Sequence, residues 1–379
     1  MRRSAVAGPS LPRPLRLFMT ADAVGGVWQY ALDLARGLGG RADVTLAVLG
    51  PSPTAAQAAE SRAVPGLVLI ETGLPLDWTA ETASEIERAA AGIAALAARA
   101  RPDVIQLNAP ALAAASFPAP VVAVCHSCVA TWWEAVRGGP LPADFAWRTA
   151  AVARGLHAAD ALVAPTHAFA EAVRRSYGLV AAPSVVYNGR RPPAGPERPA
   201  EDFVFTAGRL WDEGKNLRIL DRAAARLPVP VLAAGATQGP NGAGIALEAV
   251  RPLGALSDAA VAEHLSRRPI FASLARYEPF GLAVLEAAQA GCALVLSDVP
   301  TFRELWDGAA RFVPAVDDDA VVETIGALRA NRDERERLGA AARERSSRYT
   351  VEAAAESMLA VYRSVLTRPK VQPAKGVAA

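Results

Sequence analysis

The sequence predicts an α/β protein of two domains, on three observations. At 379 residues the chain exceeds what one ordinary hydrophobic core organises. Short β-rich apolar runs alternate with amphipathic stretches along its length, the pattern of open sheets with crossover helices. A proline-rich break, Arg190 to Pro199 with four prolines, divides it near the middle. The expected organisation is a disordered leader over 1–14, a first domain over 15–190, a linker over 191–200, a second domain over 201–348, a C-terminal helix over 349–367 and a loose tail over 368–379.

Composition narrows the function classes. Forty Lys and Arg against 38 Asp and Glu leave a formal charge of +2, which gives no signal for nucleic acid as a partner. Three cysteines, Cys125, Cys128 and Cys292, are too few for a disulfide framework and fit a reducing compartment. Cys125-His126-Ser127-Cys128 has no second Cys/His pair at zinc spacing, so the two cysteines read as small buried residues and no metal is expected. The leader, with four arginines and no acid up to Arg16, lacks the apolar core of a signal peptide. No run reaches the roughly 18–20 apolar residues of a membrane span. A cytoplasmic protein is expected, at most peripheral to the inner face of a membrane.

In the first domain, Leu15 to Thr20 reads as a strand, and Ala21 to Gly26 as a turn. A helix then places Val27, Ala31, Leu34 and Leu38 on one face, and Asp43 to Leu49 is the next strand. The Gly25-Gly26 pair at the strand-to-helix turn either serves a tight turn or lets a ligand approach the backbone; it is not G-x-G-x-x-G. Strands follow at Leu67 to Ile70, Val104 to Leu107 and Val121 to Val124, with a helix near Glu81 to Ala98. His126 stands just past the carboxyl end of the last of these, the edge where open α/β sheets bind ligands, although a lone histidine there is as readily structural. Trp132, Trp133 and Trp147 are core anchors or an acceptor-side wall, with at least one expected in the core. Asp160 to Pro165 is a strand, Ala168 to Ser176 a helix and Ser184 to Tyr187 a strand; His167 between them reads as a capping or packing residue.

The second domain opens with the strand Phe203 to Thr206 and the loop Ala207 to Asn216. There Arg209 as a fork and Lys215 as a point charge could close on a diphosphate, unless Asp212 and Glu213 simply neutralise them. Strands at Val229 to Ala233, Val250 to Leu253 and Ile270 to Ser273 and a helix at Ser257 to Leu265 lead to Arg276–Pro300, RYEPFGLAVLEAAQAGCALVLSDVP. This segment holds Glu278 in a loop, bends through Pro279 and Gly281, enters an apolar helix carrying Glu286, and returns as the strand Cys292 to Leu296. The helix's first-turn N–H groups, around Gly281, Leu282 and Val284, suit a phosphate. Glu286 in an apolar helix needs a donor for its charge, and a ribose with two hydroxyls is one. Beyond it are helices at Phe302 to Trp306, Asp317 to Leu328, Arg332 to Arg345 and Val351 to Leu366, and a strand at Arg311 to Val313.

These residues carry a resemblance. Gly25-Gly26 opening the first long helix, Gly208-Arg209 with Lys215, and E-x7-E as Glu278 and Glu286 within EPFGLAVLEAAQAG resemble the retaining glycosyltransferases of family 4 (GT4), over roughly residues 15–366. The last match is the specific one. The resemblance implies the GT-B fold, two facing Rossmann-like domains with a cleft between them and a C-terminal helix crossing back onto the first. It further implies that Arg209 and Lys215 neutralise the diphosphate of a nucleotide-sugar, Glu286 holds the ribose, and Glu278 and His126 lie by the donor sugar. The Gly25-Gly26 loop would approach the phosphates or the acceptor. One departure is Ala272 to Tyr277, where many relatives have proline-serine before the EPFG stretch.

The implied activity is hexosyl transfer from a nucleotide-sugar to a hydroxyl of a sugar, glycan or lipid-linked acceptor, with retention and with neither cofactor nor metal. A UDP-sugar is the first expectation and GDP-mannose the second. Acceptor loops are expected at Leu74 to Trp78 and Ala130 to Trp147, and base contacts around Gly235 and Gly254. The alternatives are a nucleotide-sugar 2-epimerase, a glycogen-synthase-like or sucrose-synthase-like enzyme, for which the chain lacks long insertions, and a nucleotide-binding scaffold without turnover.

Overall fold

The computed structural model describes residues 13–192, 198–240 and 242–367. Residues 1–12 of the expected leader, 193–197 of the expected linker and the tail from 368 lie outside the described residues. The described end of the leader is engaged: Arg13 and Arg16 both pair with Asp103, at 2.8 and 3.0 Å.

The first domain runs β1 (Leu15–Asp22), α1 (Gly26–Leu38), β2 (Ala42–Leu49), α2 (Ala55–Arg62), β3 (Leu67–Glu71), α3 (Ala83–Ala100), β4 (Val104–Leu107), β5 (Val121–Val124), α4 (Val129–Val136), α5 (Ala143–Ala158), β6 (Ala161–Ala164), α6 (His167–Tyr177) and β7 (Ser184–Val185). Its sheet has the order β3-β2-β1-β4-β5-β6-β7, and its strands pair in parallel. The central β4 and β5 are buried along their whole length, as strands covered on both faces must be.

The second domain repeats the design with β8 (Val204–Ala207), α7 (Leu217–Ala224), β9 (Val231–Ala234), β10 (Arg251–Gly254), α8 (Asp258–Ser266), β11 (Ile270–Ser273), α9 (Leu282–Gln289), β12 (Ala293–Ser297), α10 (Pro300–Trp306), β13 (Arg311–Val313), α11 (Asp318–Ala330) and α12 (Arg332–Ser346). Its sheet is ordered β10-β9-β8-β11-β12-β13, again parallel. In each sheet the strand order reverses at one seam, β1/β4 in the first and β8/β11 in the second. A crevice opens outside the carboxyl ends at such a seam.

The chain then returns. Helix α13 (Val351–Thr367) buries Ala355, Met358, Leu359, Tyr362 and Val365 in the same core as Leu17, Met19, Trp28 and Leu32 of the first domain. It packs closely on α1 because Gly37 is bare: a methyl there would lie 2.7 Å from the Val351 carbonyl oxygen. The two domains also meet directly. The Tyr277 hydroxyl accepts from the Cys128 N–H (3.1 Å) and contacts Thr131 Oγ1 (2.9 Å), and Arg137 pairs with Glu213 at 2.5 Å. Glu304 on α10 accepts from the His167 and Ala168 N–H groups (2.8 and 2.7 Å), placing a carboxylate at the positive end of α6.

Two expectations are corrected. Ala130 to Trp147 is not a loop: α4 and the start of α5 occupy most of it, separated by Gly138, Gly139 and two prolines, while Leu74 to Trp78 remains irregular. Of Trp132, Trp133 and Trp147 none is fully buried; Trp147 lies partly buried against a core cluster, and the completely buried tryptophans are Trp28 and Trp306. His167 is the first residue of α6, with Thr166 as its cap. Among the described residues no helix is long and apolar enough to cross a membrane.

Candidate functional site

Most loops that carry the sequence-predicted residues leave strands at the two seams, while His126 follows β5, one strand away from the first seam. Gly25 and Gly26 follow β1, Arg209 and Lys215 follow β8, and Glu278 follows β11. The facing domains bring the first pair against the second domain. A methyl on Gly25 would lie 3.4 Å from Arg209 Nη1, and one on Gly26 would lie 3.4 Å from Leu282 Cδ1. Either methyl would sit at ordinary van der Waals distance, so this turn lies directly against the second domain without a steric demand for glycine. Gly208 extends the same line, 4.0 Å from Lys215 Cε to its would-be methyl.

Arg209 donates to Asp212 Oδ2 at 2.9 Å, and Lys215 Nζ donates to Glu278 Oε2 at 2.5 Å. The local neutralisation foreseen for Asp212 is present, and Asp212 also accepts from Trp132 Nε1 of the first domain (3.2 Å). Glu213 instead faces Arg137 across the cleft. Lys215 and Glu278 are mostly covered, at 18% and 15% exposure, so both charges are held rather than solvated. Gly281 caps α9 with φ +92°, a conformation that an L side chain rarely adopts; a methyl there would also press on Phe302 and Glu278 at 3.2 and 3.3 Å. The first turn of α9, beginning at Leu282, thus opens next to Glu278 with its unpaired N–H groups.

Glu286, one turn further along α9, has found its donor within the chain. Arg190 Nε donates to Glu286 Oε1 at 2.5 Å, Nη1 to Asp33 Oδ2 and Gln29 Oε1 (each 2.9 Å), and Nη2 to Asp258 Oδ2 (2.8 Å). Desolvation pushes the Glu286 carboxyl above its usual range, and Arg190 opposes that shift. The physical expectation for Glu286, a buried acid that needs a donor, holds; the donor in this structure is Arg190. That arginine reads in the sequence as the opening of a proline-rich linker. Its only signal was the pair of acids, Asp33 and Glu286, lodged in otherwise apolar helices.

His126 stays within the first domain. Its Nε2 lies 3.0 Å from Asn108 Oδ1, and its ring meets the edge of Tyr30 at 4.4 Å between centroids. An amide oxygen only accepts, so the network assigns the proton to Nε2 and leaves Nδ1 as an acceptor. Asn108 is itself fixed: Nδ2 donates to the Thr20 carbonyl (2.7 Å), and Oδ1 also receives Gln106 Nε2 (3.0 Å). Gln106 Oε1 accepts from the Tyr362 hydroxyl of α13. A buried polar relay thus runs from the crossing helix to His126, and no apolar periodicity announces it. Cys125 and Cys128, on either side of His126, are buried free thiols. Among the described residues no group of three or more His, Cys, Asp and Glu is placed to hold a metal ion.

Burial drives the His126 pKa down to about 3. The unfolded chain, with an imidazole near 6.5, therefore binds a proton between those values that the folded chain does not, and stability falls as pH drops through that window. The expected loss is about 2 kcal/mol between pH 7 and pH 5. His126→Gln should remove that part of the pH dependence in urea unfolding. An unchanged difference between the two pH values in the variant would assign the effect to other groups.

The sequence matches Glycosyltransferase Family 4 over residues 24–192 and Glycosyl transferases group 1 over residues 245–345. The chain belongs to the GT4-type glycosyltransferases. The first match spans the β1 loop, His126 and Arg190; the second spans Glu278, Gly281 and Glu286. Among curated relatives, Phosphatidyl-myo-inositol mannosyltransferase of Mycobacterium leprae is 37% identical over 136 residues, 35% of this chain and 36% of that protein. The match thus spans about a third of the relative's length. Among solved structures, sucrose-phosphate synthase from Thermosynechococcus elongatus superposes with a TM-score of 0.73 at 17% identity, covering 92% of this chain and 98% of that one. Anabaena HepE in complex with UDP and glucose gives 0.69 at 17% identity, covering 93% and 100%. At such identity these two establish the fold, and the fold is GT-B. In this glycosyltransferase both halves of the fold contribute residues to the cleft.

Proposed function

We propose that this chain transfers a hexosyl group from a nucleotide-sugar, a UDP-sugar foremost, to a hydroxyl acceptor with retention of configuration. The observation that carries the reading is the approach of the bare Gly25 turn to Arg209, with Lys215 on the same loop and the open end of α9 beside Glu278. These are donors gathered where a diphosphate would lie, at the seams of two facing sheets. The UDP complexes of HepE support the uridine donor; the mannosyltransferase relative supports a mannosyl donor, with GDP-mannose as the second candidate.

The chemistry follows from charge. Cleavage of the anomeric bond leaves an oxocarbenium-like sugar and a nucleoside diphosphate that gains negative charge. Arg209, Lys215 and the first-turn N–H groups of α9 act on that developing charge. The departing phosphate oxygen takes the acceptor proton on the same face of the sugar, so no carboxylate nucleophile is required and no metal is invoked. His126 Nδ1 offers an acceptor to a donor-sugar hydroxyl. The direct contacts of Tyr277 and Trp132 across the cleft exclude water that would otherwise hydrolyse the donor.

Calorimetric titration with UDP, GDP and ADP, repeated on Arg209→Ala and Glu286→Ala, tests this. Micromolar binding of one nucleotide, weakened by both substitutions, is expected and names the donor class. Absence of binding for all three in folded protein would remove the reading. Release of a free epimerised sugar without any acceptor would replace it with the 2-epimerase.

A further inference from the structure

Arg190 is the most heavily engaged charge in the described residues around the cleft, and the phosphate chemistry makes no use of it. Its side chain is 10% exposed and spends four hydrogen bonds on three helices: α1 through Asp33 and Gln29, α8 through Asp258, and α9 through Glu286. Its backbone is fixed as well. The N–H donates to the Tyr349 carbonyl (3.3 Å), and the carbonyl accepts from Gln289 Nε2 (2.7 Å). One guanidinium therefore faces three carboxylates, two from the second domain and one from the first. A cation in this place serves stability poorly by itself, since an ion cluster removed from water returns little over well-packed apolar side chains. Its geometry has a different use. A guanidinium presents five donors in a rigid fork, and four of them are committed here in three directions. The bond to Glu286 takes Oε1, and among the described residues no hydrogen bond occupies Oε2.

We infer that Arg190 is a positioning residue for the nucleotide ribose: it orients the Glu286 carboxylate so that Oε2 receives a ribose hydroxyl, and ties that orientation to α1 of the opposite domain through Asp33. The inference rests on the nucleotide-sugar reading above. It adds that ribose recognition is shared between the domains, because the residue that aims Glu286 is itself held by the first domain. Glu286 without Arg190 is a buried acid beside Asp258 and Asp33, and such an acid tends to take up a proton, which turns one of its acceptor sites into a donor.

A purely structural Arg190 and a ribose-positioning Arg190 differ in one readout. Binding of UDP, GDP and ADP is compared with that of their 2′-deoxy counterparts by calorimetry, on the full chain and on Arg190→Met and Arg190→Lys. The unmodified chain should prefer the ribonucleotide by about tenfold or more, the worth of one good hydrogen bond to a charged group. In Arg190→Met the ribonucleotide should weaken by about that factor, and the deoxynucleotide should change by less than about twofold, so the preference collapses. With donor and acceptor present, KM for the donor should rise while kcat holds, as expected for contacts made equally in ground and transition states. Equal weakening of both nucleotide forms, or a preference that survives in folded Arg190→Met, would overturn the inference. Where Arg190→Met does not fold, Arg190→Lys decides: it keeps a charge but not the three-way fork, and a full ribose preference in that variant would overturn the inference too. Failure of the unmodified chain to bind any of the six nucleotides would remove the nucleotide-sugar reading, and this inference with it. Binding without loss of preference in the variants would remove this inference alone.

Discussion

Replacing Lys215 with alanine is expected to lower turnover by about 10²- to 10³-fold, the range seen when one donor is removed from a site of developing negative charge. The expectation depends on where Lys215 is held. Its ammonium is mostly covered and paired with Glu278, so its field acts through protein rather than through water. The same pairing makes the single variant ambiguous for stability, because Glu278 is left covered and without its cation, at a cost of about 1–3 kcal/mol. The double variant Lys215→Ala/Glu278→Gln separates the two effects. It should recover most of the lost stability, since no carboxylate is then stranded, while turnover stays low. Nucleoside diphosphate release under saturating donor measures the first quantity and urea unfolding the second. Turnover within about threefold of the unmodified chain would deny Lys215 its role at the leaving group, since the proposed loss is at least about a hundredfold.

Tyr362→Ala is expected to carry the largest stability loss, roughly 3–5 kcal/mol for an aromatic ring removed from a packed core. Tyr362 is completely buried on α13, among Leu17, Trp28 and Leu32 of the first domain, and its hydroxyl donates to Gln106. Tyr362→Phe is the partner experiment. It keeps the ring and removes only the hydroxyl, with an expected cost of about 1 kcal/mol and a slackened relay through Asn108 to His126. A loss under about 1 kcal/mol for Tyr362→Ala would mean that the crossing helix does not complete the first core.

Much of the fold was legible because strands buried on both faces leave an unbroken mark. Val104–Leu107, Val121–Val124 and Ile270–Ser273 have the bounds that their sequence runs suggest. Helices without an apolar stripe were harder to see. Ala55–Arg62 carries little apolar periodicity and is set by a capping box between Thr54 and Gln57, a short local signature without an apolar stripe behind it. Val129–Val136 and Ala143–Ala158 were hidden by Pro140 and Pro142 and by the tryptophan row between strand and turn, which together read as a binding loop. In the site, residues at seam loops could be placed because a strand end followed by glycine or a paired charge is a local pattern. Arg190, Asp33, Asn108 and Gln106 could not: each acts through a partner far away in sequence, Arg190 joining Asp33 and Glu286 across the two domains and Asn108 and Gln106 joining His126 and Tyr362 within the first core.

The return of α13 onto the first domain has a consequence for the order in which the protein is made. Residues 15–190 supply their sheet and helices early in synthesis, but the core around Leu17, Met19 and Trp28 also contains Met358, Leu359, Tyr362 and Val365. The first domain to emerge from the ribosome is therefore the last to be finished, and its apolar face over α1 stays open while the whole second domain is translated. A fragment ending near the inter-domain linker would keep that face exposed permanently. Truncation from the C terminus, far from every residue of the cleft in sequence, strikes first at the domain that was built first.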